Sequence, residues 1–195
     1  NKMTNLKFKG TGVALVTPFN ADKSIDFKAL GTIIEHTINN KVDYLVTLGT
    51  TGETSVLSSE EKAAVLSFTI DKVKKRVPLV VGIGGNNTEQ VVKQIKATDF
   101  SEIDGLLSVC PYYNKPTQQG IYEHYKAVAK ASPVPVIIYN VPGRTGVNIC
   151  SSTTLRLAED FKNIVAVKEA SGNFSQCMKI IKNKPKNFLL ISGDD

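Results

Sequence analysis

A lysine near the end of an apolar run is the residue of this sequence best suited to covalent chemistry. Lys168 lies in the segment IVAVKEA, residues 164–170, which is typical of a buried strand. Burial disfavours the charged form of a lysine, and the neutral amine attacks a carbonyl carbon to form a Schiff base. Strand-end lysines more often cap the strand in solvent or form an ion pair, so the prediction depends on the residues around Lys168.

A tyrosine precedes this lysine by about one strand–helix unit. Tyr139 lies 29 residues before Lys168, which predicts that the two residues occupy equivalent levels of adjacent strands. A phenol beside a Schiff-base lysine can transfer protons at the carbinolamine and at the substrate α-carbon. The alternative interpretation is a core tyrosine with a satisfied hydroxyl group.

Two loops carry groups that could hold carboxylates. The turn of residues 49–53, GTTGE, offers the Thr50 and Thr51 hydroxyls and freed backbone N–H groups. The same turn could use these hydroxyls only for local hydrogen bonds. Arg144 follows another strand in residues 142–146, PGRTG, and its planar guanidinium suits a carboxylate. Isolated loop arginines more often form surface ion pairs.

A pair of adjacent tyrosines follows the fourth predicted strand. Neighbouring side chains diverge, so at most one of Tyr112 and Tyr113 should face the mouth of its own barrel. The other is available for an interface, where exposed aromatic residues are enriched.

The elements that must position these residues alternate between strands and helices. The predicted strands are 13–19, 44–49, 79–85, 105–111, 134–141, 164–170 and 188–192. The predicted helices are 26–40, 58–76, 88–100, 117–131, 151–161 and 174–183, with Ser58, Thr88, Thr117 and Ser151 as N-cap candidates. This order predicts one α/β domain with a parallel sheet, spanning residues 1–195.

Two architectures fit this order, an open doubly wound sheet and a (β/α)8 TIM barrel. The glycine-rich segment 82–87 follows the third strand and lacks the last glycine of the nucleotide fingerprint, which disfavours the doubly wound sheet. In a barrel, the polar residues that follow the strands meet at one rim. The sequence supplies strands 1–7 and helices 1–6, so we expect it to stop before strand 8 and the C-terminal helices.

Composition restricts the other functional classes. The 195 residues are 42% hydrophobic and 22% charged, and no run has the roughly 20 apolar residues of a membrane span. The net charge of +6 comes without a basic stripe of interleaved aromatics, which argues against nucleic-acid binding. The three cysteines lack metal-binding spacing and are expected to be reduced, which indicates a cytoplasmic protein without a metal.

The motifs together resemble the dihydrodipicolinate synthase family of pyruvate-dependent class I aldolases. The resemblance rests on GTTGE at 49–53, YYNKP at 112–116, YNVPGRTG at 139–146, VKEAS at 167–171 and SGDD at 192–195. It implies condensation of pyruvate with aspartate semialdehyde, without a metal or redox cofactor, in lysine and diaminopimelate biosynthesis. Lys168 would form the Schiff base and Tyr139 would be the general acid/base.

The resemblance also implies roles for the rim residues. Thr51 would relay protons and bind the pyruvate carboxylate together with Thr50, and the backbone near Gly193 would line that pocket. Arg144 would bind the carboxylate of aspartate semialdehyde. Tyr113 would reach into the site of a neighbouring subunit, within a homotetramer built from dimers.

Two departures from the family pattern predict weak lysine feedback. Members that lysine inhibits typically carry a histidine and a glutamate where this sequence has Lys62 and Gln90. Asn86 and Tyr112 do match that pocket. Two alternative functions stay open at this point: a retro-aldol lyase of the same superfamily acting on a 2-keto-3-deoxy sugar acid, and a non-catalytic barrel relative.

Overall fold

The computed structural model describes residues 5–193, so Asp194 and Asp195 of the last motif lie outside the described residues. The chain divides into two compact units. The smaller unit comprises residues 6–82 and 99–105, and the described part of the larger unit comprises residues 5, 83–98 and 106–193. Because the chain divides in this way, the single domain over residues 1–195 stays a prediction.

The smaller unit contains three parallel strands and two helices. Its elements are β1 Gly12–Ala14, β2 Tyr44–Thr47, β3 Leu79–Gly82, α1 Phe27–Asn39 and α2 Ser59–Val73, with 3₁₀ turns at Thr50–Gly52 and Thr54–Val56. A further 3₁₀ turn spans Asn5–Phe8. The strands lie in chain order. Leu30 and Ile34 of α1 are buried, as are Leu45 and Val80 of the strands.

The larger unit contains the remaining parallel strands and five helices. Its elements are β4 Gly105–Val109 (from Leu106 onward), β5 Val136–Asn140, β6 Ile164–Glu169, β7 Leu189–Ser192, α3 Thr88–Ala97, α4 Gln118–Ala131, α5 Pro142–Thr145, α6 Ser151–Asp160 and α7 Phe174–Asn183. These strands also lie in chain order. A doubly wound sheet reverses its strand order at a switch point, and neither unit contains such a reversal.

Helix starts follow local side-chain chemistry with two corrections. Ser58 and Glu61 form the predicted capping box, and Thr117 caps α4. Asn87 rather than Thr88 caps α3, because the Thr88 hydroxyl bonds His124 instead. The residue before α6 is Cys150, whose side chain makes no capping bond.

His124 is a buried histidine that joins two helices of the larger unit. Its Nδ1 lies 2.8 Å from the Thr88 hydroxyl, and its ring packs edge-on against Tyr125 at 5.2 Å. Its Nε2 is buried without a hydrogen-bond partner among residues 5–193. Burial lowers the pKa of His124 from 6.5 to about 4.

The depressed pKa of His124 predicts loss of stability in acid. The folded state holds the neutral ring, so the stabilisation is fully present above the ordinary pKa of 6.5 and is lost as the pH falls toward about 4. We expect this one group to lower the free energy of unfolding by about 3 kcal/mol across that range. Chemical denaturation at a series of pH values measures this loss.

The matched variants are His124→Gln and His36→Gln, because His36 is the other histidine and is exposed on α1. His124→Gln should flatten the acid loss, and His36→Gln should leave it as in the parent. An equal slope in His124→Gln and the parent would refute the assignment.

Candidate active site

The pairing of β5 with β6 sets Tyr139 directly beside Lys168. Val136 pairs with Ile164, but Ile137 pairs with Ala166, so the register shifts by one residue between these positions. Beyond the shift, Tyr139 pairs with Lys168. Without it, Tyr139 would pair with Val167, whose side chain points to the opposite face from that of Lys168. The local irregularity therefore places the phenol and the amine on one face.

Lys168 is half-buried, and its nitrogen lies against the aromatic ring of Tyr139. The distance from the Lys168 Nζ to the ring centroid is 4.4 Å. Tyr139 itself is only 6% exposed. Desolvation by burial lowers the pKa of the Lys168 ammonium, which increases the fraction of nucleophilic amine near neutral pH.

Gly193 leaves the space that the Lys168 side chain occupies. A Cβ at Gly193 would lie 2.8 Å from the Lys168 Cε and 3.0 Å from its Cγ. Its backbone N–H donates to the Glu169 carbonyl at 2.8 Å, which holds the start of this segment against β6. The structure thus brings Lys168, Tyr139 and Gly193 together in the larger unit.

We expect Gly193→Ala to lower the turnover of a reaction at Lys168 by about tenfold or more, because the added methyl group displaces the lysine side chain. Gly120→Ala is the matched control, since a Cβ there meets its nearest atoms at an ordinary 3.4 Å. Steady-state kinetics on both variants test this. Equal kcat values for the two variants would contradict the close approach seen here.

Thr50 and Thr51 lie in the smaller unit, exposed on the 3₁₀ turn after β2. The flanking residues Leu48 and Glu53 have positive φ values of 56° and 53°, a backbone conformation that costs energy for non-glycine residues. The Thr54 hydroxyl braces the turn by donating to the Leu48 and Gly49 carbonyls at 2.9 and 2.6 Å. The turn therefore holds the Thr50 and Thr51 hydroxyls in a defined, exposed position. The role of Thr54 was not predicted from the sequence.

Tyr113 is a highly exposed residue on the loop after β4. Its side chain is 83% exposed, compared with 40% for Tyr112. Its φ of 74° is unusual for a bulky residue. The Tyr113 N–H donates to the Thr145 carbonyl at 3.4 Å, which joins this loop to α5. Both rings are exposed, and the divergence of the two side chains stays a prediction.

Arg144 lies on α5, a single helical turn where the sequence predicted a sharp loop. Pro142 occupies the first turn, where its missing N–H costs nothing, and Gly146 ends the helix with a positive φ of 76°. Arg144 is exposed, and its side chain makes no ion pair within the described part of the chain. An exposed guanidinium without an ion-pair partner can bind a carboxylate from solution.

Comparison with known proteins identifies the family. The model of the dihydrodipicolinate synthetase family matches residues 7–195. The chain belongs to this family. The 4-hydroxy-tetrahydrodipicolinate synthases of Flavobacterium psychrophilum and Parabacteroides distasonis are 58% and 54% identical to it, over 96% and 99% of this chain.

A solved dihydrodipicolinate synthase from Acinetobacter baumannii, chloride-inhibited and complexed with pyruvate, superposes with a TM-score of 0.91 at 43% identity over 95% of this chain. These similarities confirm the predicted α/β class and the (β/α)8 barrel, of which the chain supplies strands 1–7. The chain spans 64% of the length of the F. psychrophilum relative, 65% of the P. distasonis relative and 63% of the solved chain.

The described residues add two negative findings about this family member. Between residues 5 and 193, no cluster of three or more histidine, cysteine, aspartate or glutamate side chains could hold a metal ion. In the same range, no helix combines the length and the apolar character that a membrane crossing requires.

Proposed function

We propose that this protein condenses pyruvate with L-aspartate 4-semialdehyde to form 4-hydroxy-tetrahydrodipicolinate in lysine and diaminopimelate biosynthesis. The observation that carries the proposal is the half-buried Lys168 amine against the Tyr139 ring. The family membership supports it, as do the names of the relatives and the pyruvate complex of the A. baumannii enzyme.

Lys168 is the proposed covalent residue. Its neutral amine adds to the pyruvate carbonyl, and loss of water from the carbinolamine gives an imine. Loss of a C3 proton converts the imine to an enamine, whose C3 forms the new carbon–carbon bond with the aldehyde carbon of the second substrate. The amino group of that substrate then attacks the imine carbon, releases the Lys168 amine and closes the ring.

Tyr139 is the proposed general acid/base. The contact of its ring with the Lys168 nitrogen supports this role, because the carbons that exchange protons would be held by that nitrogen. Thr51 is the proposed relay to bulk solvent, and Tyr113 completes the relay from a neighbouring subunit. The 83% exposure of Tyr113 is consistent with a side chain that acts outside its own subunit.

Carboxylate binding divides between two loops in this proposal. Thr50 and Thr51 hold the pyruvate carboxylate, and the backbone near Gly193 lines the same pocket. Arg144 holds the carboxylate of aspartate semialdehyde through paired hydrogen bonds. A positive loop residue favours this substrate over a sugar acid whose distal end carries hydroxyl groups.

The family uses no external cofactor, and the covalent imine on Lys168 replaces one here. We propose that the protein acts as a homotetramer built from dimers, because Tyr113 completes the site of a second subunit. A cytoplasmic location is likewise part of the proposal.

Coupled assays with two substrate classes test the function. The purified protein should form the cyclic product from pyruvate and aspartate semialdehyde, and should release pyruvate slowly or not at all from 2-keto-3-deoxy sugar acids. Faster cleavage of the sugar acids would favour the lyase alternative. Absence of both activities, together with failure to bind pyruvate covalently, would favour a non-catalytic barrel.

We expect lysine to inhibit this protein weakly or not at all. Lys62 places a cation, and Gln90 a neutral amide, at the positions where inhibited family members have a histidine and a glutamate. Like charges repel the ligand, and the amide lacks the attraction of a carboxylate. Rates measured with rising lysine concentration test this, and inhibition at sub-millimolar lysine would contradict it. The double variant Lys62→His with Gln90→Glu should gain sensitivity.

A further inference from the structure

A buried polar cluster lies directly behind the Lys168–Tyr139 pair. The Glu169 Oε1 accepts hydrogen bonds from the Asn140 Nδ2 at 2.8 Å and from the Gln176 Nε2 at 3.0 Å. The Glu169 Oε2 accepts from the Ser171 hydroxyl at 2.6 Å. Asn140, Glu169 and Gln176 are 0%, 4% and 8% exposed. We call these three residues the register cluster.

The register cluster occupies the sheet position next to the reactive pair. Asn140 pairs with Glu169 immediately after Tyr139 pairs with Lys168. Because side chains alternate along a strand, the cluster and the reactive pair lie on opposite faces of the same two strands. Gln176 reaches the cluster from α7.

The cluster also holds the segment that follows α5. The Asn140 Oδ1 accepts from the Ile149 N–H at 3.0 Å, and the Gln176 Nε2 donates to the Ile149 carbonyl at 3.1 Å. Asn148 bridges the two amides, since its Oδ1 accepts from Asn140 at 2.9 Å and its Nδ2 donates to Gln176 at 2.8 Å. Both the oxygen and the nitrogen of the Asn140 side-chain amide thus form hydrogen bonds.

Stability alone does not account for such a cluster. Burying a carboxylate is costly, and among residues 5–193 no lysine, arginine or histidine forms an ion pair with Glu169. Apolar side chains of similar volume often stabilise a buried site as well or better. Buried polar groups of this kind can instead specify one arrangement of the chain.

The arrangement that needs specification is the register of β5 against β6. The pairing already shifts by one residue at Val136 and Ile137, so a second register lies one residue away. In that register Tyr139 would pair with Val167, and Asn140 would pair with Lys168. The bond from the Asn140 Nδ2 to the Glu169 Oε1 joins β5 to β6 and matches the observed register, and Gln176 holds Glu169 from α7.

We propose that Asn140, Glu169 and Gln176 are positioning residues that lock β5 and β6 in the register that holds Lys168 against Tyr139. This inference rests on the proposed function, because the proposed function is what assigns a catalytic role to Lys168 and Tyr139. The positioning residues do not touch the reacting atoms. They act through the strand pairing, so removing their hydrogen bonds should impair turnover even under conditions where the variant is fully folded.

Two variants of Glu169 separate positioning from a structural role. Glu169→Met keeps the volume but removes the carboxylate that accepts from Asn140, Gln176 and Ser171, so we expect a modest loss of stability to denaturant and, in the folded protein, a fall in kcat of about 10- to 100-fold. Glu169→Gln keeps an accepting oxygen for Asn140 and offers an amide to Ser171, so its kcat should stay within about threefold of the parent. Thr154→Val is the control, because it removes a buried polar group, a hydroxyl, that has no hydrogen-bond partner among the described residues, and it should leave kcat unchanged.

A readout independent of catalysis is hydrogen exchange in residues 164–170. The Ala170 N–H donates to the Asn140 carbonyl at 2.8 Å, which is a bond of the observed register. In the full-length protein, Glu169→Met should speed exchange in this peptide by at least about tenfold, and Glu169→Gln and Thr154→Val should not. If Glu169→Met does not fold, Gln176→Met provides the same comparison.

The outcomes distinguish this inference from the proposed function. If the variants exchange as expected but the parent protein forms no imine with pyruvate, the proposed function is refuted and the role of the register cluster in strand pairing is retained. If Glu169→Met shows the parental rate of hydrogen exchange in residues 164–170 and a kcat within about threefold of the parent, the positioning role is refuted. Equal damage in Glu169→Gln and Glu169→Met would overturn it too, because the charge rather than the hydrogen bonds would then matter.

Discussion

Lys168→Arg is expected to lower kcat for the condensation by at least about 10⁴-fold, because the nucleophile of the reaction is removed. The guanidinium of arginine stays protonated under all working conditions and cannot form an imine. The side chain keeps its positive charge and approximate length, so the loss reports the missing amine rather than a missing charge. Steady-state rates at saturating pyruvate and aspartate semialdehyde provide the measurement.

The matched control is Lys162→Arg, because Lys162 is an exposed lysine just before the same strand. It should retain the parental kcat. A Lys168→Arg variant with more than about one tenth of the parental rate would show that another group carries the chemistry.

Tyr139→Phe is expected to lower kcat by about 10²- to 10³-fold through loss of general acid/base transfer. The phenylalanine ring keeps the face against which the Lys168 nitrogen packs at 4.4 Å, so the lysine should remain half-buried and nucleophilic. The variant should therefore still form an imine with pyruvate, but slowly. Stopped-flow rates of imine formation and of product formation together separate these steps.

Tyr125→Phe controls for the loss of a buried hydroxyl group. The Tyr125 hydroxyl donates to the Ser108 carbonyl at 2.9 Å, and its removal should cost about 1 kcal/mol of stability without changing kcat. If Tyr139→Phe lost no more activity than Tyr125→Phe, the phenol of Tyr139 would have no role in proton transfer.

The sequence predicted that Tyr139 and Lys168 lie at similar levels of adjacent strands, because their spacing carries that information. Tyr139 and Lys168 lie one strand–helix unit apart, and consecutive parallel strands bring such residues together. The one-residue register shift at Val136 could not be predicted from periodicity, since the apolar residues on both sides of it fit either register. Tertiary contacts decide which pairing forms.

Other features depended on partners that are distant in sequence. Thr88 and Asn87 are both good caps, and the choice between them follows from the Thr88–His124 bond on another helix. Asn140 and Gln176 are separated by 36 residues and show no periodic signal, so the register cluster was not predicted. The α5 turn was predicted as a loop because Pro142 and Gly143 are turn residues, although proline is also favoured in the first turn of a helix.

The roles assigned to the rim residues rest on the family resemblance and on their exposure. Thr50 and Thr51 are presented by a braced turn, and Arg144 is exposed without an ion-pair partner in the part of the chain that the structure describes. These features permit the proposed contacts with two carboxylates.

Covalent trapping tests the central claim most directly. Incubation of the protein with pyruvate and borohydride, followed by peptide mass spectrometry, should place a reduced pyruvyl group on Lys168 and on no other lysine. The tag should be absent without pyruvate and absent from Lys168→Arg. A tag on another lysine, or an intact protein that acquires none, would contradict the account.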